Sequence, residues 1–386
     1  MNEPVEQDLR IACFLPSLDG GGAERVVVNL LRGLASQPVQ LQLVLASAEG
    51  TYLDQVPDGV EVVDLGVKHV RQAIWPLRRL LKEQQPDVLI SHLSHANIAA
   101  VLAIRPLSIS TRLLLVEHLT MSAYKGTTVK DRLIQPLARW LFKRADAVAA
   151  VSNGAARDLE QQLNMQTGSV HVLYNPVVDE MLGEQCRQPL DHPWVNDPDR
   201  PLVVGMGRLT PQKDFGTLIR AFAQLANQSD CRLVILGEGE ERSALEGLVE
   251  QLGLAERVLL PGFVENPYAW LNRARLFVLS SRWEALPTVL IEALACGVPV
   301  VATDCPSGPA EILENGRWGT LVPLEDEQAL AAAMEKELGM QIDSSPLQQR
   351  AADFSVDRAV DRYLVLLRQL VDQSGTGCRS ADGEAQ

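Results

Sequence analysis

Two doubly wound α/β units in tandem are what this sequence predicts, on three observations. The chain has 386 residues, apolar β-branched runs alternate along it with amphipathic helical stretches, and the same rhythm restarts after a polar, proline-bearing break. A chain of this length exceeds one ordinary core and suits two domains, each large enough to bury its own interior.

Taken in order, Leu9–Pro16 is the first expected strand and Gly22–Ser36 the helix behind it. Strands follow at Leu41–Ala46, Val60–Asp64, Asp87–Ser91, Arg112–Glu117 and Ala145–Val151. Near-continuous apolar runs such as Ala147–Val151 imply burial on both faces, as in a parallel sheet covered by helices. The rhythm breaks where Pro189, Pro193 and Pro198 stand among Asp and Asn, so residues 1–185 are expected as the first domain and 186–200 as a linker. The second domain is expected over 201–354, with strands at Pro201–Met206, Cys231–Leu236, Arg257–Pro261, Leu276–Ser280, Val298–Ala302 and Thr320–Val322. In the segment 355–373 a last helix carries Val360, Tyr363, Leu364, Leu367 and Leu370 at helical spacing, and a return of this helix to the first domain is one reading. The Gly/Ser-rich tail, 374–386, is predicted disordered. Two such sheets are expected to turn their carboxyl ends toward a shared cleft, so binding residues are sought in the loops that follow strands.

Composition narrows the class. Hydrophobic residues make up 46% and charged residues 22%, and no apolar run approaches the ~20 residues that span a bilayer. Met1 to Arg10 carries Glu3, Glu6 and Asp8 rather than a basic-then-apolar order, which predicts a cytoplasmic protein. The six cysteines show no metal-ligand spacing and are expected as reduced, mostly buried thiols. Net charge is −14, with 17 Lys/Arg against 20 Asp/Glu in residues 1–185 and 18 against 29 in 186–386. Such an acidic chain repels a phosphate backbone, so no nucleic-acid partner is expected. Within the near-neutral first half, Lys125, Lys130, Arg132, Arg139, Lys143 and Arg144 cluster along a segment of helical period. The cluster suits an ordinary solvated helix face, or a peripheral contact with an anionic inner membrane surface.

Three loops carry residues suited to chemistry. Leu18 to Arg25 includes Gly20, Gly21 and Gly22 before a helix, where backbone N–H groups can approach a phosphate; the run is not GxGxxG, so a nicotinamide dinucleotide is poorly supported. Arg208 and Lys213 lie in the loop after the first strand of the second domain, where two cations would neutralise a diphosphate. The third segment runs Ser280 to Ala302 as strand, helix and strand, with Pro287 suited to the first helical turn and Gly297 to the stop. It places Glu284 before the helix and Glu292 near its second turn. Eight residues at ~1.5 Å rise separate their Cα atoms by ~12 Å if the interval is helical, too far for a glycosidase pair but suited to opposite ends of one extended ligand. Glu292 also sits among apolar neighbours, where an unpaired charge is costly.

These motifs, with Val151-Ser152-Asn153, Tyr174-Asn175-Pro176, Gly-Arg-Leu-x3-Lys at 207–213, Leu236-Gly237-Glu238-Gly239 and Pro261-Gly262-Phe263, resemble in order and spacing the family-4 retaining glycosyltransferases of the GT-B fold, whose signature is E-x7-E. The resemblance covers nearly the whole chain. It implies that Arg208 and Lys213 bind a donor diphosphate, Glu292 the ribose, Glu284 the transferred sugar, and Phe263 and Val264 the base. Leu286 joins the donor-binding set, Gly21 and Gly22 close over the phosphates or acceptor, and His118 lies near the reacting sugar, with His92 and His95 as rivals for that role. Ala285 departs from the family's usual glycine, which is harmless at negative φ.

The resemblance further implies retention of anomeric configuration, with a nucleotide-sugar donor, UDP-linked by preference, and a glycan or polyprenyl-linked acceptor in surface polysaccharide synthesis. No cofactor and no metal are expected, since Arg208, Lys213 and the helix near Pro287 can carry the leaving diphosphate, and the DxD-like Asp197-Pro198-Asp199 lies in the expected linker. A nucleotide-sugar epimerase, a phosphorylase or a non-catalytic sugar-binding subunit on the same fold remains open, because fold does not decide reaction.

Overall fold

The computed structural model describes residues 8–19, 21–122, 137–195, 197, 199–341 and 343–376. The chain divides into two compact units, Met1–Pro176 with Val356–Gln386, and Val177–Ser355.

In the first unit seven strands, β1 (Leu9–Leu15), β2 (Val39–Leu45), β3 (Val60–Asp64), β4 (Val88–His92), β5 (Arg112–Glu117), β6 (Ala147–Ala150) and β7 (His171–Val172), form one parallel sheet in the order β3-β2-β1-β4-β5-β6-β7. The central strands are dry on both faces, with Ile11 to Leu15 and Leu113 to Val116 at 1% exposure or less, which explains their unbroken apolar sequence. The helix Gly22–Leu34 turns Val27, Leu30, Leu31 and Leu34 inward. Gly33 on this helix admits the C-terminal helix Val356–Thr376, because a methyl group there would run into Val356 and Val360.

The second unit repeats the plan with six parallel strands, β8 (Leu202–Met206), β9 (Arg232–Leu236), β10 (Val258–Gly262), β11 (Leu276–Leu279), β12 (Val300–Thr303) and β13 (Thr320–Val322), in the order β10-β9-β8-β11-β12-β13. Its core joins Phe215, Leu218, Ile219 and Phe222 of the helix Phe215–Ala226 to Leu330 and Met334 of the helix Glu327–Gly339. Each sheet reverses its strand order once, between β1 and β4 and between β8 and β11, and in open α/β sheets ligands bind at the carboxyl ends beside such reversals.

The boundary differs from the expected 185/186. Residues 180–187 form a helix, capped by the Asp179 carboxylate accepting from Leu182 N at 2.8 Å. Asn266 Nδ2 donates to Gln185 O at 3.0 Å, so this helix belongs with the second unit, and the chain passes between units at Pro176/Val177. It returns at Ser355/Val356, and the C-terminal helix groups with the first unit. Entry and exit lie side by side: Val177 N and Val178 N donate to Phe354 O at 3.0 and 3.2 Å. Strand β7 has no counterpart in the expected elements, since two residues make no readable apolar run. The expected tail begins at 374, whereas the helix continues to Thr376; residues 377–386 lie outside the described residues. No helix among the described residues is long and apolar enough to cross a membrane.

Candidate active site

The two loops at the reversal of the second sheet are stitched together. The loop after β8 (207–214) and the loop after β11 (280–287) exchange three hydrogen bonds: Ser280 Oγ to Lys213 O (2.7 Å), Arg282 N to Gln212 O (2.8 Å) and Gln212 Nε2 to Trp283 O (2.9 Å). Arg282 adds an ion pair to Asp214 (3.2 Å), a residue held at φ 48° where the helix Phe215–Ala226 begins. Thr303 at the end of β12 donates to Ser281 O at 2.5 Å. These bonds fix the backbone on both sides of one ion pair, Lys213 Nζ to Glu284 Oε1 at 2.5 Å, with Ser281 Oγ donating to the same oxygen at 2.7 Å. The lysine and glutamate side chains are only 14% and 8% exposed, so each charge depends on the other. Arg208, two residues past the strand, is exposed.

Glycines bring the neighbouring loops to the same place. Gly207 (φ 154°) lies against the Lys213 stem, Gly237 (φ 140°) packs on Gly207 O, and Gly239 packs on Leu209 O. A Cβ at Gly237 or Gly239 would overlap those carbonyl oxygens. Gly262 (φ 91°) closes β10, and beyond it Phe263 projects with 62% exposure while Val264 is half-buried.

The helix Thr288–Ala295 starts one residue later than expected, with Pro287 at its N-cap (φ −68°, ψ 103°), and Gly297 ends it at φ 74°. Glu292 on its second turn is 2% exposed. Ala285 is absent from the positive-φ residues, so its methyl costs nothing in backbone strain. Leu286 is buried (6% exposed).

At the reversal of the first sheet, Gly21 N-caps the helix that begins with Gly22, and the Glu24 carboxylate folds back onto Gly21. Gly20 lies outside the described residues. At the ends of β4 and β5, His92 Nδ1 and His118 Nε2 stand 3.0 Å apart. Glu117 beside them accepts from Ser94 Oγ (2.7 Å) and from His118 N (3.1 Å). Burial pushes Glu117 up to about 7 and His118 down to about 4, and holds His92 well below the imidazole range with help from His118. His92 is fully buried and His118 half-buried, while His95 is exposed on the first turn of the helix Ser94–Ile104. His92 is closed to solvent and faces His118.

Of the sequence-derived set, Lys213 and Glu284 are brought into contact. Arg208, Phe263 and Val264 belong to loops of the same sheet edge, Glu292 lies on the following helix, and Gly21, Gly22 and His118 belong to the first unit. Missed were Ser280, Gln212 and Arg282, whose partners lie about 70 residues away in sequence, Ser281, which donates to Glu284, and Glu117, whose burial only the assembled sheet reveals. Burial lifts the thiols of Cys13 and Cys305 to about 12, which keeps them protonated; Cys378 lies outside the described residues.

Comparisons with known proteins agree with this geometry. Residues 187–353 match the family described as Glycosyl transferases group 1, and residues 20–180 match Glycosyltransferase Family 4. A Campylobacter jejuni relative, N-acetylgalactosamine-N,N'-diacetylbacillosaminyl-diphospho-undecaprenol 4-alpha-N-acetylgalactosaminyltransferase, is 30% identical over 332 residues, 83% of this chain and 88% of the relative. The lipopolysaccharide core biosynthesis glycosyltransferase LpsE of Rhizobium meliloti is 28% identical over 90% of this chain and 96% of its own. Among solved structures, Anabaena HepE in complex with UDP and glucose superposes with a TM-score of 0.74 at 21% identity, covering 93% of this chain and 99% of HepE. Two parallel-sheet α/β units of this kind define the GT-B class of glycosyltransferase. The chain belongs to glycosyltransferase family 4.

Proposed function

We propose that this chain is a retaining, metal-independent glycosyltransferase. It moves a hexose or N-acetylhexosamine from a nucleotide-sugar, with UDP as the expected nucleotide, to a glycan or polyprenyl-linked acceptor in cell-surface polysaccharide synthesis. The observation that carries this reading is the Lys213–Glu284 pair, clamped between the two loops at the reversal of the second sheet with Arg208 exposed nearby. Arg208 and Lys213 neutralise the donor diphosphate, Glu284 binds the transferred sugar and Glu292 the ribose. Phe263 and Val264 meet the base, Leu286 joins the donor-binding set, and Gly21 and Gly22 close over the phosphates or the acceptor. His118 donates to or accepts from the sugar as a neutral imidazole, the form its burial favours.

In the reaction the bond from the anomeric carbon to the donor phosphate breaks and a bond to the acceptor oxygen forms on the same face. The acceptor hydroxyl proton passes to the departing phosphate oxygen. Charge builds on that phosphate, and the fixed cations with the N-terminal dipole of the helix Thr288–Ala295 stabilise it. The name of the Campylobacter relative, which specifies a diphospho-undecaprenol substrate, and that of LpsE support the acceptor class; the UDP and glucose bound to HepE support the donor class. A lipid-linked acceptor places the enzyme peripherally at the inner face of the plasma membrane. The basic cluster is one contact for that surface, although Lys125, Lys130 and Arg132 lie outside the described residues and Arg139 is engaged with Gln162 O at 2.6 Å.

Calorimetric titration with UDP, GDP, ADP and their sugar conjugates, free of divalent metal, tests the donor site. Selective heat with one nucleotide, lost in Arg208→Ala and Glu292→Ala, is the expected result. Absence of binding to every nucleotide overturns the reading.

A further inference from the structure

The segment from Leu65 to Lys82 contains five basic residues, Lys68, Arg71, Arg78, Arg79 and Lys82, and no acidic one, in a chain of net charge −14. Part of it forms the helix Ile74–Gln84, which buries Leu77, Leu80 and Leu81. On the opposite side Trp75, Arg78, Arg79 and Lys82 follow at i, i+3, i+4 and i+7, the spacing that collects side chains on one helical face. Trp75 is 71% exposed, the most exposed large hydrophobic side chain among the described residues. Arg78 props it in place: its guanidinium lies 4.3 Å from the indole centroid and donates to Leu102 O (2.7 Å) and Ala103 O (3.2 Å). Arg79 pairs with Glu83 at 2.8 Å, whereas Lys68, Arg71 and Lys82 are exposed and have no ion-pair partner among the described residues.

We propose that this face docks the protein on an anionic lipid surface, with Trp75 entering the headgroup layer and Lys68, Arg71 and Lys82 contacting lipid phosphates. Indole is favoured at a membrane interface because one edge is polar and the body apolar, and basic side chains beside it gain from the negative surface potential. A nucleic acid fits less well: Arg78 already covers one face of the indole, which obstructs base stacking, while the ring remains exposed for insertion. The segment is separate in sequence from the 125–144 cluster. Its purpose rests on the lipid-linked acceptor of the proposed function, but its detection does not.

Sedimentation of the full chain with phosphatidylglycerol/phosphatidylcholine vesicles, against phosphatidylcholine alone and with no nucleotide-sugar present, measures it directly. The parent is expected to bind the anionic vesicles in a salt-sensitive way. The Lys68→Glu/Arg71→Glu/Lys82→Glu variant should lose at least roughly 100-fold in partitioning, about fivefold for each basic side chain removed before the added repulsion, and Trp75→Ser about tenfold. Thermal melting verifies that both remain folded, and a Lys125→Gln/Lys130→Gln/Arg132→Gln variant is expected to keep most of the binding. Equal binding by parent and charge-reversed chain overturns the proposal, as does loss confined to the 125–132 variant, binding that ignores lipid charge, or a parent that binds an RNA oligonucleotide but no vesicle. Because no donor is used, failure of the donor reading leaves this result standing.

Discussion

At the reversal of the second sheet the ionisable groups meet as opposite charges, Lys213 against Glu284, while at the ends of β4 and β5 in the first sheet the Glu117 carboxyl and the His92 imidazole are buried and the His118 imidazole is half-buried, with no cation among the described residues paired to the carboxyl. Pairing lets a charge persist where water is scarce; burial without an opposite charge favours the neutral form. The second unit thereby keeps a paired cation and anion, and the first offers a neutral imidazole at His118 near neutral pH, where Glu117 is divided between its neutral and charged forms.

The largest test of this contrast is Lys213→Met. It removes the cation beside the Glu284 carboxylate, and the expected loss is about 3 kcal/mol of stability, much of it recovered in Lys213→Met/Glu284→Gln. Chemical denaturation of the two singles and the double measures the coupling; additive effects would show that the pair is not a unit.

Next in size is the pH dependence of the first unit. Glu117 rises from 4.5 to about 7 on folding, so its contribution is fully present below about pH 4.5 and is lost as pH rises through about 7. His118 falls from 6.5 to about 4, so its contribution is present above 6.5 and is lost as pH falls through about 4. Between about pH 4.5 and 6.5 the two slopes oppose each other. Glu117→Gln removes one of them, and its stability relative to the parent should climb by up to ~3 kcal/mol from about pH 4.5 to about pH 7. Denaturation midpoints across that range check it, and a flat difference would mean that Glu117 folds as a carboxylate.

The smallest effect concerns the glycines. Those of the second unit's site are committed to close approach, but Gly247, inside the helix Arg242–Gln251, has nothing within 4 Å of a built Cβ. Gly247→Ala should stabilise by about 0.5–1 kcal/mol, read as a small rise in melting temperature.

Much of this architecture was legible because it is local. Strands β3, β5 and β13 fall on the expected residues, β5 as an unbroken buried apolar run and β3 and β13 as short β-branched stretches, and Glu284 and Glu292 were singled out because one short loop and helix carry both. The stitching by Ser280, Gln212 and Arg282 was not legible, because it joins loops whose proximity depends on the strand order. The contact-defined boundary differs because prolines signal irregular chain, and the described residues of 188–200 are irregular within the second unit rather than at its border. The Trp75 face was overlooked because Leu77, Leu80 and Leu81 make its segment look like any amphipathic helix.

The neighbouring hydrogen bonds of Val177 and Val178 to Phe354 make the second unit an insertion whose two ends are already joined. On the ribosome this unit can finish folding from a contiguous stretch, whereas the first must wait for the helix beginning at Val356 before Gly33 receives its partner. The second unit is thus the earlier to mature during synthesis, although most of it lies later in the chain.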